Sequence, residues 1–448
     1  MSQADLEPKK VLLAYSGGLD TSYLAAWLTH AKGYQVTTLT VDCGGLSDAD
    51  RERLAQRSAY LGAVEHRIVD ARDEMFQRVL RFLIAGNVRR GETYPMCVGA
   101  ERGLQAEILA GVAAIDGFDA VAHGCTGAGN DQVRFESALA VVAEDIDALA
   151  PIRDQSISRD EERAWLHDNG FDITSEDSEY SINKGMWGIT IGGGNLLSED
   201  LALPEEAWRW TRPSGLPRAN GVLVRFEKGV PVALNGEEME PVELVEALNE
   251  LAGAAGIGRG YHLGDTVLGS KGRIAYEAPA AEVLLDAHRE LEKLVLTEDQ
   301  RFLKDHLAAV YGRKLHQGQL HEPMMRDAEA FFLSSQERVS GEVNVLFHGA
   351  KLLVQGVSSP FSMMAASDAQ YGERPASGSH PEGAIWLART YAEPARLAKR
   401  ALMAAAKPHV AFPETRGPQT SQVSSGAVST PPVSAAHEAG TLLNEVPA

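Results

Sequence analysis

Three hydroxyls, two adjacent glycines and one carboxylate are packed into Ser16-Gly17-Gly18-Leu19-Asp20-Thr21-Ser22. The apolar run Val11-Leu12-Leu13 precedes this segment, with Ala14 and Tyr15 at its entry. Leu24, Trp27 and Leu28 follow at helical spacing, so the whole reads as strand, loop and helix. Paired glycines accept positive φ and let a ligand approach the backbone closely. The open N–H groups and dipole of the following helix favour negative charge, so the chemistry on offer is an anion cradle suited to nucleotide phosphates. The competing reading is a plain tight turn with Thr21 or Ser22 capping the helix. No Gly-Lys-Ser/Thr string follows, so transfer of a γ-phosphoryl group is not implied.

A second set of chemically capable residues lies at His123-Gly124-Cys125-Thr126-Gly127-Ala128-Gly129-Asn130-Asp131, with Arg134 and Glu136 just beyond. Its glycines let the main chain wrap a ligand. Asn130, Asp131 and Arg134 then offer an amide, a carboxylate and a guanidinium, which together suit an amino acid carrying both an amine and a carboxylate. A glycine-rich turn with a capping Asp131 and a surface Arg134 is the alternative. His123, at the end of an apolar run, is either an acid–base group or a structural histidine.

These loops need a frame. Strands are predicted at Val11–Tyr15, Tyr34–Val41, Val64–Val69 and Ala120–His123, alternating with helices at Asp48–Leu61, Arg72–Ile84 and Ala100–Ile115. Phe135, Leu139, Val142, Ile146 and Leu149 continue the helical rhythm, predicting one more helix to about 149. Such alternation implies a parallel sheet covered on both faces, with ligands at the carboxyl ends of its strands. After about residue 170 the pattern becomes α+β. Hairpins are predicted at Val222–Phe226 with Val230–Leu234 and at Val343–Phe347 with Lys351–Val357. Helices are predicted at Pro241–Ala252 and Ala281–Leu296, and from a Thr297/Gln300 capping box through Tyr311. Ile385, Leu387, Tyr391, Leu397 and Leu402 outline a further helix interrupted by Pro394. The Pro-, Ser-, Thr- and Ala-rich segment after Lys407 is predicted to be disordered.

At 448 residues and 44% hydrophobic content the chain can bury a large core. A net charge of −20 opposes a nucleic-acid or acidic-membrane surface. Cys43, Cys97 and Cys125 form no close pair, which suggests a reducing compartment without a disulfide frame or zinc knuckle. No apolar leader or long apolar run is visible, so a cytoplasmic enzyme without a membrane partner is expected. There is no clustered His/Cys metal motif. The run Trp208-Arg209-Trp210 reads as packing rather than a base-stacking platform.

The first loop resembles the S-G-G-x-D-x-S segment of the N-type ATP pyrophosphatases. With Gly124–Phe135 it makes the chain similar to the argininosuccinate synthetase family. Leu149-Ala150-Pro151-Ile152-Arg153, Tyr180-Ser181, Gly256-Ile257-Gly258-Arg259, Lys271-Gly272-Arg273 and Tyr276-Glu277 extend the likeness over about residues 9–400. Ala128 replaces a usual lysine, and the string Tyr180–Gly188 suggests a divergent bacterial branch.

This resemblance implies a parallel-sheet adenine nucleotide alpha hydrolase-like domain (1–170), an α+β synthetase domain (171–384), a C-terminal oligomerisation helix (385–406) and a tail (407–448). It implies condensation of citrulline with aspartate at the expense of ATP, magnesium accompanying the nucleotide, and a homotetramer. ATP would be held by Ala14, Tyr15, Ser16, Gly17, Gly18, Leu19, Asp20, Thr21, Ser22, Val41 and Gly124. Aspartate would be held by Thr126, Asn130 and Asp131, and citrulline by Tyr94, Asn130, Arg134, Ser181, Thr190 and Tyr276. Asp20, orienting the loop or the magnesium, and Asp131 would be the catalytic carboxylates.

Departures fall on the citrulline side. Cys97-Val98-Gly99 replaces a Gly-Thr-Ser run, and glycines stand at 192 and 264 where glutamates are usual, with Asp265 beside the latter as a substitute. A modified citrulline or other small acceptor, another adenylating ligase of the superfamily, and a non-catalytic nucleotide-binding regulator are the alternatives.

Overall fold

The computed structural model describes residues 8–173, 180–212 and 220–405. Its first half comprises β1 (Lys10–Ala14), α1 (Leu19–Ala26), β2 (Gln35–Asp42), α2 (Asp48–Tyr60), β3 (Glu65–Asp70), α3 (Arg72–Met75) and α4 (Arg81–Gly86). There follow α5 (Cys97–Asp116), β4 (Ala120–Ala122), α6 (Asp131–Val142), β5 (Asp147–Leu149), α7 (Pro151–Gln155) and α8 (Arg159–Asp168). All five strands pair in parallel in the order β3-β2-β1-β4-β5.

The continuous apolar run of β1 explains its central place. Val11 and Leu13 pack against Tyr23, Leu24 and Leu28 on one face. Leu12 packs against Leu39, Leu109, Val121 and Phe135 on the other. Ser47 and Asp50 cap α2 reciprocally, and Ser158 and Glu161 do the same for α8.

The helix expected to run to residue 149 ends at Val142. Ala143 leaves helical geometry, and Asp147–Leu149 becomes β5, with Leu149 opposite Ala122. Ile146 and Leu149 are apolar because they cover opposite faces of the sheet, so their helical spacing is coincidental. The helix expected at Arg72–Ile84 is present but passes through a π-helical turn at Phe76–Leu80.

The second half comprises β6 (Tyr180–Gly185), β7 (Gly188–Gly193), β8 (Gly221–Glu227), β9 (Val230–Leu234), β10 (Glu237–Glu238), α9 (Pro241–Ala254), β11 (Arg259–Asp265) and β12 (Lys271–Glu277). Helices α10 (Pro279–Val295), α11 (Glu298–His316) and α12 (Pro323–Gln336) lead to β13 (Gly341–His348) and β14 (Lys351–Ser358). Two antiparallel sheets result, in the orders β10-β9-β8-β13-β14 and β11-β12-β7-β6. Both expected hairpins form, and Thr297 with Gln300 makes the expected capping box. The β6–β7 and β11–β12 hairpins and α12 have no counterpart in the expectations. A separate compact unit begins at Ala369 and contains helix α13 (Pro381–Ala405), with Pro394 inside it. The tail expected at 407–448 lies outside the described residues.

A buried polar network joins the two halves. Lys304 Nζ lies 2.7 Å from Glu292 and donates to Ala85 O at 2.9 Å. Asn87 and Gln336 donate to the same carboxylate at 2.6 and 2.8 Å. Lys304 and Glu292 are each only 1% exposed, so neither charge has water as a fallback. Lys304→Met is therefore expected to destabilise the fold by about 3–5 kcal/mol, through the stranded Glu292 carboxylate. A lowered urea midpoint with an unchanged slope would report this.

Candidate functional site

Backbone pairing aims the first loop. Tyr15 N donates to Leu39 O at 2.9 Å, and Thr40 Oγ1 donates to Tyr15 O at 2.7 Å, fixing the exit from β1. Gly17 then takes φ +71°, where a Cβ would strike the Leu54 side chain. Gly18 is the N-cap of α1 and has no side-chain cap, so neither Thr21 nor Ser22 performs the capping role of the plain-turn reading. Instead Thr21 Oγ1 donates to Gly18 O at 3.4 Å and lies 3.3 Å from Ser16 Oγ. The first N–H groups of α1 are left for an anion.

A cavity of about 430 Å³ opens beside the loop. It is lined by Ser16, Gly17 and Gly18, by Arg53, Leu54 and Arg57 of α2, by Tyr180 and Ile182 of β6, and by Arg209. Arg57 Nη1 donates to Gly17 O at 2.6 Å, tying α2 to the loop.

The second loop backs directly onto the first. A Cβ at Gly124 would lie 3.2–3.3 Å from Thr21 Cγ2 and Asp20 Cβ. This contact follows from sheet order. β1 and β4 are neighbours, and the chain reverses direction of winding between them, which is where open α/β sheets collect ligands. Asp20 has a carboxyl partner in Glu162 of α8, which is 1% exposed. Burial, and then the Asp20 charge, push Glu162 up to about 8.

Asn130, Asp131 and Arg134 do come together, but not as a cap and surface residues. Asn130 makes no side-chain cap to α6; its Oδ1 accepts from Val267 N at 2.8 Å. Asp131 sits between two guanidinium groups, at 2.6 Å from Arg134 Nη1 and 3.3 Å from Arg102 Nε. Burial works to raise its carboxyl, but Arg102 and Arg134 outweigh that and hold it below the usual carboxylate range. The side chain keeps 37% of its surface open.

Arg134 is 5% exposed and also donates to His316 O (2.9 Å) and His316 Nδ1 (3.1 Å). Three of its five N–H groups are thus used, which leaves one on each terminal nitrogen. Burial and the Arg134 charge push His316 down to about 3, so the ring is neutral and can accept from the guanidinium. His123 is 1% exposed, with Nδ1 accepting from Cys125 N at 3.4 Å and Nε2 3.6 Å from Glu136, as a structural histidine would be.

Of the residues expected to hold citrulline, Ser181, Thr190 and Tyr276 share one face of the β11-β12-β7-β6 sheet. Thr190 stands opposite both Asn183 and Tyr276, and Ser181 stands opposite Gly192. Directly paired residues, and those two apart, point the same way. Gly260, His262 and Gly264 line the same face from β11. The Tyr94 ring lies 5.2 Å from Tyr276 and is stacked by His262 at 5.1 Å. Tyr276 donates its hydroxyl to Thr93 O at 2.9 Å.

Asp265 does not replace a carboxylate at 264. It points to the opposite face, and its carboxylate pairs with Lys271. A Cβ at 264 would lie 2.6 Å from His262 Nε2, so the imidazole takes the space that a longer side chain there would need. Val41, at the end of β2 opposite Val69, is half-buried against the core.

An anion cradle at the end of β1, beside an amide, a carboxylate and a guanidinium at the end of β4, is an arrangement suited to a ligase that activates one substrate with ATP. Residues 10–172 match the family description "Arginosuccinate synthase N-terminal HUP domain", and residues 180–387 match "Arginosuccinate synthase C-terminal domain". An argininosuccinate synthase of Methanocaldococcus jannaschii is 38% identical over 364 residues, 81% of this chain and 92% of the relative. One of Methanothermobacter thermautotrophicus is 40% identical over 356 residues, 79% of this chain and 88% of the relative. The chain belongs to the argininosuccinate synthase family.

Several residues of the site carry no motif signal in the sequence. Arg57 and Arg53 share a helix face, a spacing common on any surface helix. Arg102 of α5 donates to Gln105 at 2.6 Å and to Asn183 of β6 at 3.1 Å, besides its pair with Asp131, and so links α5, α6 and β6. Glu101 beside it is 1% exposed and packs so tightly on Gly185 that a Cβ there would collide with the carboxyl group.

Burial, with Asp42 adding, pushes Glu101 from 4.5 up to about 8. Its folded-state affinity for the proton exceeds the unfolded one. The stability it permits is therefore complete below about pH 4.5 and is lost as pH rises toward 8. Glu101→Gln removes this dependence. The stability of the variant relative to the parent is expected to increase steadily over that range, as measured by chemical unfolding at a series of pH values.

Proposed function

We propose that the chain joins citrulline to aspartate, forming argininosuccinate with release of AMP and pyrophosphate. What carries this reading is the contact of Gly124 with Asp20 and Thr21, which opens the phosphate loop and the Asn130–Arg134 cluster on one sheet edge. In the first step the ureido oxygen of citrulline attacks the α-phosphorus of ATP and pyrophosphate departs. In the second the aspartate amine attacks the activated carbon, loses a proton and expels AMP.

The backbone amides of Gly17–Thr21 and the hydroxyls of Ser16, Thr21 and Ser22 hold the phosphates, while Val41 and Gly124 flank the adenosine; the Ser22 amide is taken by Gly18 O inside the helix. Thr126, Asn130 and Asp131 hold aspartate, the carboxylate accepting from its ammonium and placing the amine. Tyr94, Asn130, Arg134, Ser181, Thr190 and Tyr276 hold citrulline, with the two remaining Arg134 N–H groups available to its carboxylate. Such a displacement depends on positioning and on stabilised anionic charge rather than on a protein nucleophile. Asp20, 26% exposed beside the loop, fits a magnesium ion that reaches the site largely through phosphate oxygens. Magnesium would lower the negative charge of the departing pyrophosphate.

Cytoplasmic location and a homotetramer assembled through α13 complete the proposal. Removal of residues from Pro381 onward should reduce the number of copies per particle in solution, read by light scattering; four copies retained would overturn the role of α13.

The glycines at 192 and 264 and the packing of His262 on Tyr94 support a second reading, in which the acceptor is a different ureido compound. Pyrophosphate release from ATP, with each substrate omitted in turn, separates the readings. Release with citrulline is expected. Its absence, with release from another ureido compound, would reassign the acceptor, and no release from any would indicate a regulator. Asp131→Asn should slow argininosuccinate formation about 10- to 100-fold, the usual worth of a hydrogen bond to a charged group, while citrulline-dependent pyrophosphate release persists. Equal loss of both would refute the aspartate role.

A further inference from the structure

The Trp208-Arg209-Trp210 run is anchored more firmly than packing requires. Glu277, fully buried at the end of β12, accepts from Arg209 N at 2.7 Å, Trp210 N at 2.9 Å, Thr211 N at 2.8 Å and Thr211 Oγ1 at 2.6 Å. Trp208 is buried, with the Arg259 guanidinium 4.8 Å from its ring centre. Arg259 also donates to Thr211 Oγ1 at 2.6 Å and Thr211 O at 2.8 Å. The backbone on both sides of Arg209 is thus immobilised.

Its side chain is not used in this anchoring. Arg209 is exposed and lines the cavity that also borders Ser16, Gly17 and Gly18. The two other arginines there are committed, Arg57 to Gly17 O at 2.6 Å and Arg53 to Asp50 at 2.5 Å. Among the described residues, the Arg209 guanidinium has no hydrogen bond or ion pair. A rigid backbone that holds an uncommitted, always charged fork beside a glycine-rich anion loop is prepared to pair with an anion bound there.

We infer that Arg209 is a phosphate-binding residue, contributed from the β7–β8 connection, that grips the terminal phosphates of ATP from across the cavity and holds pyrophosphate as it leaves. This rests on the nucleotide reading of the Ser16–Ser22 loop and adds the residue that faces it. The loop amides would contact one side of the phosphate chain and the guanidinium the other. As negative charge accumulates on the departing oxygen, a bidentate cation there favours the transition state over the bound substrate. Glu277 then acts as a positioning residue. It follows Tyr276 directly, so one strand end would set both the acceptor tyrosine and the phosphate arginine.

Calorimetric titration of the full-length chain with magnesium pyrophosphate and, separately, with AMP tests the inference. Arg209→Gln should weaken pyrophosphate binding about 10- to 100-fold, as expected for loss of a charge-assisted pair. AMP binding should be unchanged, and so should the unliganded thermal midpoint, since the side chain supports nothing in the fold. Arg209→Lys should restore part of the affinity, because it keeps the charge but not the fork. Pyrophosphate affinity equal to that of the parent, or an equal loss for AMP and pyrophosphate, would overturn the role of Arg209. If the parent chain itself binds neither AMP nor pyrophosphate, the nucleotide reading fails and this inference with it. Parental binding unaltered by Arg209→Gln overturns the inference alone.

Discussion

Parallel pairing of β1 with β4 is the constraint on which everything else in the site depends. Each strand is short and apolar, and each is followed by a glycine-rich loop and a helix. Their adjacency puts both loops on the same sheet edge with Gly124 against Asp20 and Thr21. Were another strand interposed, the loops would be separated by about 5 Å more, the spacing of neighbouring strands. An activated carbon at one loop could not then meet an amine at the other.

Charge is distributed against the grain of the composition. The chain carries a net charge of −20, yet arginines crowd the site. Arg53, Arg57 and Arg209 line the cavity at the first loop, while Arg102 and Arg134 flank Asp131. Nearly all of these are held by carboxylates or backbone carbonyls rather than by one another. The acidic surface elsewhere discourages polyanions such as nucleic acid, whereas the concentrated guanidinium groups suit a small one. Burial supports this pattern: it keeps His316 uncharged against Arg134, raises Glu101 despite the opposing pull of Arg102, and raises Glu162 together with the Asp20 charge.

Legibility followed the range of the interactions concerned. The helix starts near Ser47 and Thr297 depend on residues three positions apart, and the hairpin turn at Lys228-Gly229 on immediate neighbours, while the second hairpin turns one residue later than expected, at Gly349-Ala350. The central strands were readable because both faces are buried, so apolar residues run without a break. β5 was not, because three residues carry no period and Leu149 happened to continue a helical one. The β6–β7 and β11–β12 hairpins escaped notice for a related reason. Glycines and the small polar residues Ser181, Asn183 and Thr190 line much of one face, so the apolar alternation of an ordinary half-buried strand is missing.

Glycine φ preferences, apolar periodicity and capping act within a few residues of chain, so the two glycine-rich loops, the parallel frame that carries them and the family likeness are written in the amino-acid order. Which side chains share a site depends instead on long-range packing. Register on the β11-β12-β7-β6 sheet places Thr190, Tyr276, His262 and Gly264 on one face and turns Asp265 away. Packing of α5 against α6 and β6 delivers Arg102 to Asp131. The buried Glu277 carboxylate fixes Arg209 beside a loop nearly two hundred residues earlier in the chain. Such contacts depend on where remote segments come to rest, and no local rule of chain conformation encodes that.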